Sequence, residues 1–155
     1  MTELVVPVQP IITWAMDLVF AATGAKLGDS EAPDGLNDLD DPYPYGVIHH
    51  IDSNRWGAPL ITTDRHLDLI IQIDAVGRRQ DQARAFQDRV RSAIVGVDAE
   101  GRYAHDPAAS VTGFLIKQRS TESGPYPPVG EGERPDRVFT IAERYTIRVV
   151  AEEAP

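Results

Sequence analysis

Cysteine is absent from the 155 residues, which rules out disulfides and thiolate metal sites and leaves a chain compatible with a reducing cytosol. Basic residues are scarce: 15 Lys and Arg stand against 24 Asp and Glu, a formal charge of −9. This balance argues against an electrostatic grip on nucleic acid or an anionic membrane. Proximity to DNA remains open, because an acidic wall keeps phosphates from sticking. Long apolar runs are also missing. The one N-terminal run, Ile11 to Ala22, is too short to span a bilayer and contains Asp17. Before it, Met1 to Pro10 holds no Lys or Arg to begin a secretory signal, so the reading is a cytoplasmic protein with no membrane partner. There is no internal repeat, P-loop, dinucleotide fingerprint or Gly-x-Ser-x-Gly.

What is present, 42% hydrophobic and 25% charged residues, fits a single domain over 1–155. Its most informative stretch runs from Asp64 to Val97. Leu67, Leu69, Ile71, Ile73 and Ala75 alternate with His66, Asp68, Ile70, Gln72 and Asp74, which predicts a strand with one buried face. At Gly77 the period changes. Ala83, Phe86, Val90, Ala93, Ile94 and Val97 recur every three or four residues, the apolar stripe of a helix ending near Gly96. The outer face of that helix carries Asp81, Arg84, Asp88 and Arg91, a solvated set of charges.

Pro10 and Gly24 bound a first helix of about Pro10 to Thr23 that is apolar nearly all round. A helix on one side of a two-layer domain buries one stripe, so the surplus is expected to meet another subunit, with Trp14 and Phe20 as candidate interface residues. Residues 27–42 read as a long acidic surface loop with six carboxylates and no basic residue. Asp34, Asp38, Asp40 and Asp41 are taken as partner contacts. A calcium loop starting at Asp34 or Asp38 would lack both the Gly at its sixth position and the terminal Glu. A strand over Tyr43–Asp52 then turns through Ser53–Pro59, where Arg55 and Trp56 are candidate contacts at a hairpin tip. His49 and His50 fall on opposite strand faces and make no recognised ligand spacing with His66 or His105, so no metal site is expected.

A third strand is predicted over Val111–Ser123, with Thr112, Phe114, Ile116 and Gln118 on one face. A fourth covers Arg137–Val150, with Phe139, Ile141, Tyr145, Ile147 and Val149 together. Between them 124–136 forms a wide, floppy tip in which Tyr126 and Pro127 are candidate contacts, and 151–155 is a frayed tail. The expected fold is α+β, in the order helix-strand-strand-helix-strand-strand. Two helices cover one face of a mainly antiparallel sheet of about four strands.

The strand-to-helix junction, through Gln72, Ile73, Asp74, Gly77, Ala83, Asp88, Val90, Arg91 and Ile94, resembles that of tail terminator (tail completion) proteins of long-tailed bacteriophages. The resemblance implies a structural role in the virion. A homohexameric ring, assembled in the host cytoplasm, would cap the head-proximal end of the tail tube, end tube growth and offer a surface for the head connector. The implied partners are the chain itself, the tail tube protein and the connector, with DNA passing through unbound. Neither catalytic residue nor cofactor is implied. Another neck component or a tube subunit is the alternative within this class. A small enzyme using Asp68, Asp74 or Asp52 with His66 or His50, or a monomeric binding module, are the alternatives outside it.

Overall fold

The computed structural model describes residues 8–36, 41–56, 66–134 and 136–151, with the backbone alone at 54–56. Helix α1 spans Val8–Thr23 and α2 spans Gln80–Val95. The strands are β1 (Leu27–Asp29), β2 (Tyr45–Trp56), β3 (His66–Gly77), β4 (Ser110–Val111), β5 (Phe114–Ser123), β6 (Val129–Glu131) and β7 (Val138–Ala151). They form one curled, mixed half-barrel sheet in the order β1-β2-β3-β7-β5-β4, with β6 also paired to β7.

The expected four-stranded, mainly antiparallel sheet and its element order are therefore overturned. The sheet has seven strands, and β1 runs parallel to β2 through Leu27↔Gly46 and Asp29↔Ile48. Three departures account for the difference. First, the acidic segment after α1 is not loop throughout, since it opens with β1. Second, the predicted third strand is broken at Thr112 and Gly113. Both adopt left-handed backbone, at φ 40 and 82, and turn the chain so that Val111 pairs with Phe114. Third, much of 124–136 is zipped onto β7. The Tyr126 N–H donates to the Ala142 carbonyl, and Val129–Glu131 pair with Val138–Thr140. The tail prediction fails at Ala151, which ends β7; residues 152–155 lie outside the described set.

The long strands β3 and β7 run in register from His66↔Val150 to Gly77↔Phe139 and form the spine of the sheet. Alternation then decides the layers. Leu67, Leu69, Ile71, Ile73 and Ala75 of β3 and Ile147 and Val149 of β7 face the helices. Ile11, Ile12, Ala15 and Val19 of α1, with Ala83, Phe86, Val90, Ala93 and Ile94 of α2, complete one core between sheet and helices. Gly77 permits the tight passage into α2, because a Cβ there would stand 2.7 Å from the backbone nitrogen of Ala83.

Candidate assembly surfaces

Helix α1 buries Ile11, Ile12, Trp14, Ala15, Leu18 and Val19, leaving Gln9, Thr13, Asp17, Phe20 and Ala21 outward. Its two candidate interface residues thus have different surroundings. Trp14 is 9% exposed and Phe20 is 50% exposed. Trp14 is held by its own chain: its indole N–H donates to the Asp106 carboxylate at 2.9 Å, and the Arg119 guanidinium lies 4.9 Å from its ring centroid. Phe20 stands at the wall of an open cleft of about 480 Å³, floored by Met16, Leu27 and Pro33 and rimmed by Asp17, Asp29, Glu31 and Asp34. Among the described residues Lys26 is the single cation lining it.

Asp34 and Asp41 are exposed, while Asp38 and Asp40 lie outside the described residues. Arg55 and Trp56 are not at a turn: their backbone continues β2 and pairs with Leu67 and His66, although their side chains lie outside the described set. Tyr126 and Pro127 are exposed beside β7, and the Tyr126 hydroxyl is 2.6 Å from that of Ser123. Val129, 57% exposed, extends this apolar surface.

The outer sheet face holds Asp68, Asp74 and His66 of the enzymatic alternative, and the two carboxylates are tied across strands there. Asp68 accepts both the Nε and Nη2 donors of Arg148, at 2.9 and 3.1 Å. Asp74 is 3.1 Å from Nε2 of His49 and accepts from the Gln72 amide, whose oxygen accepts from Arg144. This ladder joins β2, β3 and β7. His50 bonds Ser53 on its own strand. Among the described residues His66 makes no hydrogen bond to Asp68 or Asp74, so no imidazole–carboxylate pair of that kind is assembled there. No three His, Asp or Glu among them are grouped to hold a metal ion.

Sequence reasoning missed two buried polar centres. Glu143, 1% exposed, occupies the inward face of β7 and bridges it to α2. It accepts from Arg91 through Nε at 3.0 Å and Nη2 at 2.6 Å, from the Gln87 amide at 2.8 Å and from the Tyr145 hydroxyl at 2.7 Å. Burial, then the bond to Glu143, pushes the Tyr145 phenol far above its ordinary value, and Glu143 raises the Arg91 guanidinium. The signal was present, since Glu143 has the parity of Ile141, Tyr145 and Ile147. Arg91, read as solvated helix surface, instead reaches that carboxylate.

The second centre is Arg119, 3% exposed and set between the rings of Trp14 and Tyr103. It donates to the carbonyls of His105 and Asp106, and burial pulls its guanidinium below the ordinary value. The Tyr103 hydroxyl accepts the Arg119 backbone N–H at 2.8 Å and donates to its carbonyl at 3.1 Å, closing this part of the β5 edge. The alternation that placed Gln118 on one face with Phe114 and Ile116 fails at a bulge between Ile116 and Gln118. The extra residue turns Gln118 to the outer face and Arg119 to the core.

The residues of the junction that carry the phage resemblance are nearly all used by the fold. Ala83, Val90 and Ile94 are buried, Gly77 permits the strand-to-helix contact, Arg91 holds Glu143, and Gln72 and Asp74 belong to the outer ladder. No protein-family model and no curated protein matches this chain.

Proposed function

We propose that the chain is a structural protein of phage tail assembly. It is a terminator that forms a hexameric ring on the head-proximal end of the tail tube, ends growth and presents a joining surface to the head connector. The observation that carries this reading is the β3–α2 unit, whose residues from Gln72 to Ile94 resemble the family's junction. Three properties support it. Phe20 leaves apolar surface on an outward helix face beside an open cleft. The apolar strip Tyr126 to Val129 lies along the sheet edge, available to a partner. The charge of −9 suits a ring through which DNA slides without binding.

In this role the protein works in the virion neck and needs no cofactor. Its partners are further copies of itself, the tube protein and the connector. The rival within the same class, a tube subunit or other neck component, differs in what it builds. Size-exclusion chromatography with light scattering, followed by negative-stain microscopy, tests the reading. A terminator gives rings of one fixed mass, whereas stacked rings growing into long tubes would overturn the assignment.

A further inference from the structure

Beyond β4, which pairs with Phe114 and Leu115, no described strand lies along the outer edge of β5. An unpaired edge is a template for a strand of another chain. This edge is closed by other means. The Ile116 N–H donates to the Ala109 carbonyl at 2.9 Å. At Arg119 one side-chain oxygen takes both backbone groups: the Tyr103 hydroxyl accepts the N–H at 2.8 Å and donates to the carbonyl at 3.1 Å. A neighbouring strand would offer a carbonyl and an N–H to the same two groups, whereas here a phenol offers both. Past Arg119, Thr121 and Glu122 are exposed, and the pairing with β7 slips between Thr121 and Ser123.

We propose that Tyr103 is an edge guard, whose hydroxyl stands where a further strand would pair with Arg119 and keeps β5 from adding to the β5 edge of a second copy of the chain. The tyrosine is held in place from both sides. On its own side, Val97 and Tyr103 form a single β-bridge, the Asp98 N–H donates to the Arg102 carbonyl at 2.7 Å, and the Ala104 N–H donates to the Gly96 carbonyl at 2.9 Å. The Asp98 carboxylate accepts the N–H groups of Glu100 and Arg102, which stiffens the turn between them. From the sheet side, the Arg119 guanidinium lies 4.4 Å from the Tyr103 ring centroid and donates to the carbonyls of His105 and Asp106. The residue whose backbone is guarded thus clamps its guard. The excluded occupant is a second copy because two identical edges, related by a two-fold axis, present the same groups to each other and can complete one antiparallel ladder. Such a guard is needed whatever larger structure the chain builds.

Two variants test the guard. Tyr103→Phe keeps the ring against Arg119 and removes only the hydroxyl, so exchange of the Arg119 amide, followed residue by residue by NMR, rises by roughly fivefold or more over wild type. Tyr103→Gly removes the ring as well, and sedimentation over a range of protein concentrations then shows association beyond that of wild type. Adding Thr121→Lys to Tyr103→Gly returns the mass to the wild-type value, because lysines on a strand edge oppose strand pairing. Thr121 is exposed, so the same change in the wild-type background leaves its mass unaltered. Circular dichroism verifies that each variant is folded; if Tyr103→Gly is not, the amide exchange of Tyr103→Phe decides alone. An Arg119 amide that exchanges in Tyr103→Phe as it does in wild type, a folded Tyr103→Gly of wild-type mass, or an added association that survives Thr121→Lys would overturn the proposal.

Discussion

Replacing Arg91 by Met keeps the aliphatic stem packed but removes the charge opposite Glu143. The carboxylate is 1% exposed, so water cannot replace what is lost on its inner side. Oε1 keeps Gln87 and Tyr145 as neutral donors, while Oε2 loses Arg91, its described partner. Breaking a buried ion pair from one side costs about 3–5 kcal/mol. The Arg91 side chain is 37% exposed, which lets some water approach Oε2 and places the expected loss near 2–3 kcal/mol. At roughly 2–4 °C per kcal/mol for a chain of this size, the midpoint falls by about 4–12 °C. Thermal unfolding followed by circular dichroism near neutral pH measures it. Adding Glu143→Gln, which still accepts from Gln87 and Tyr145, recovers a large part of the loss. The reasoning is refuted if Arg91→Met melts with wild type, or if the loss is the same whether residue 143 is Glu or Gln.

Two further outcomes follow from the same packing. Gly77→Ala brings a Cβ within 2.7 Å of the Ala83 nitrogen and 3.2 Å of the Arg79 carbonyl; urea unfolding should show a loss of about 1–3 kcal/mol, and an unchanged midpoint would mean that the junction is looser than described. Because the Tyr145 phenol is raised above its ordinary value of 10.0, the folded state keeps a proton that the unfolded state loses. The resulting stability is fully present below that ordinary value and is lost as pH rises above it, by up to about 1.4 kcal/mol per pH unit. Tyr145→Phe removes this component, so wild type and variant converge from about pH 9 to about pH 11 in alkaline urea titrations; parallel curves would contradict the assignment.

The parts of the fold that could be read from the sequence are those with unbroken periodicity. In β3 the alternation from Leu67 to Ala75 has no bulge, and in α2 the stripe from Ala83 to Ile94 is regular, so each residue's face followed from its number. Where the chain slips by one residue the parity argument inverts, as it does between Ile116 and Gln118, and Arg119 was missed for that reason. Strands β1, β4 and β6, of two or three residues each, are too short to show a period and are defined by long-range pairing. The Gly- and Pro-rich composition of 124–136 pointed to a free loop, but the pairing of Val129–Glu131 with β7 overrode it. Trp14 shows the limit of reading surplus from a helix alone. Its outward partner is Arg119, a residue 105 positions away that only the sheet brings near.

The role proposed for the ring is tested most directly by adding the purified chain to polymerising tail tube protein from the same phage and measuring tube lengths by negative-stain microscopy. A terminator shortens the tubes as its concentration rises and is seen as a cap at one end only. Tubes of unchanged length with both ends bare, or tubes into which the chain is incorporated along their whole length, would contradict it.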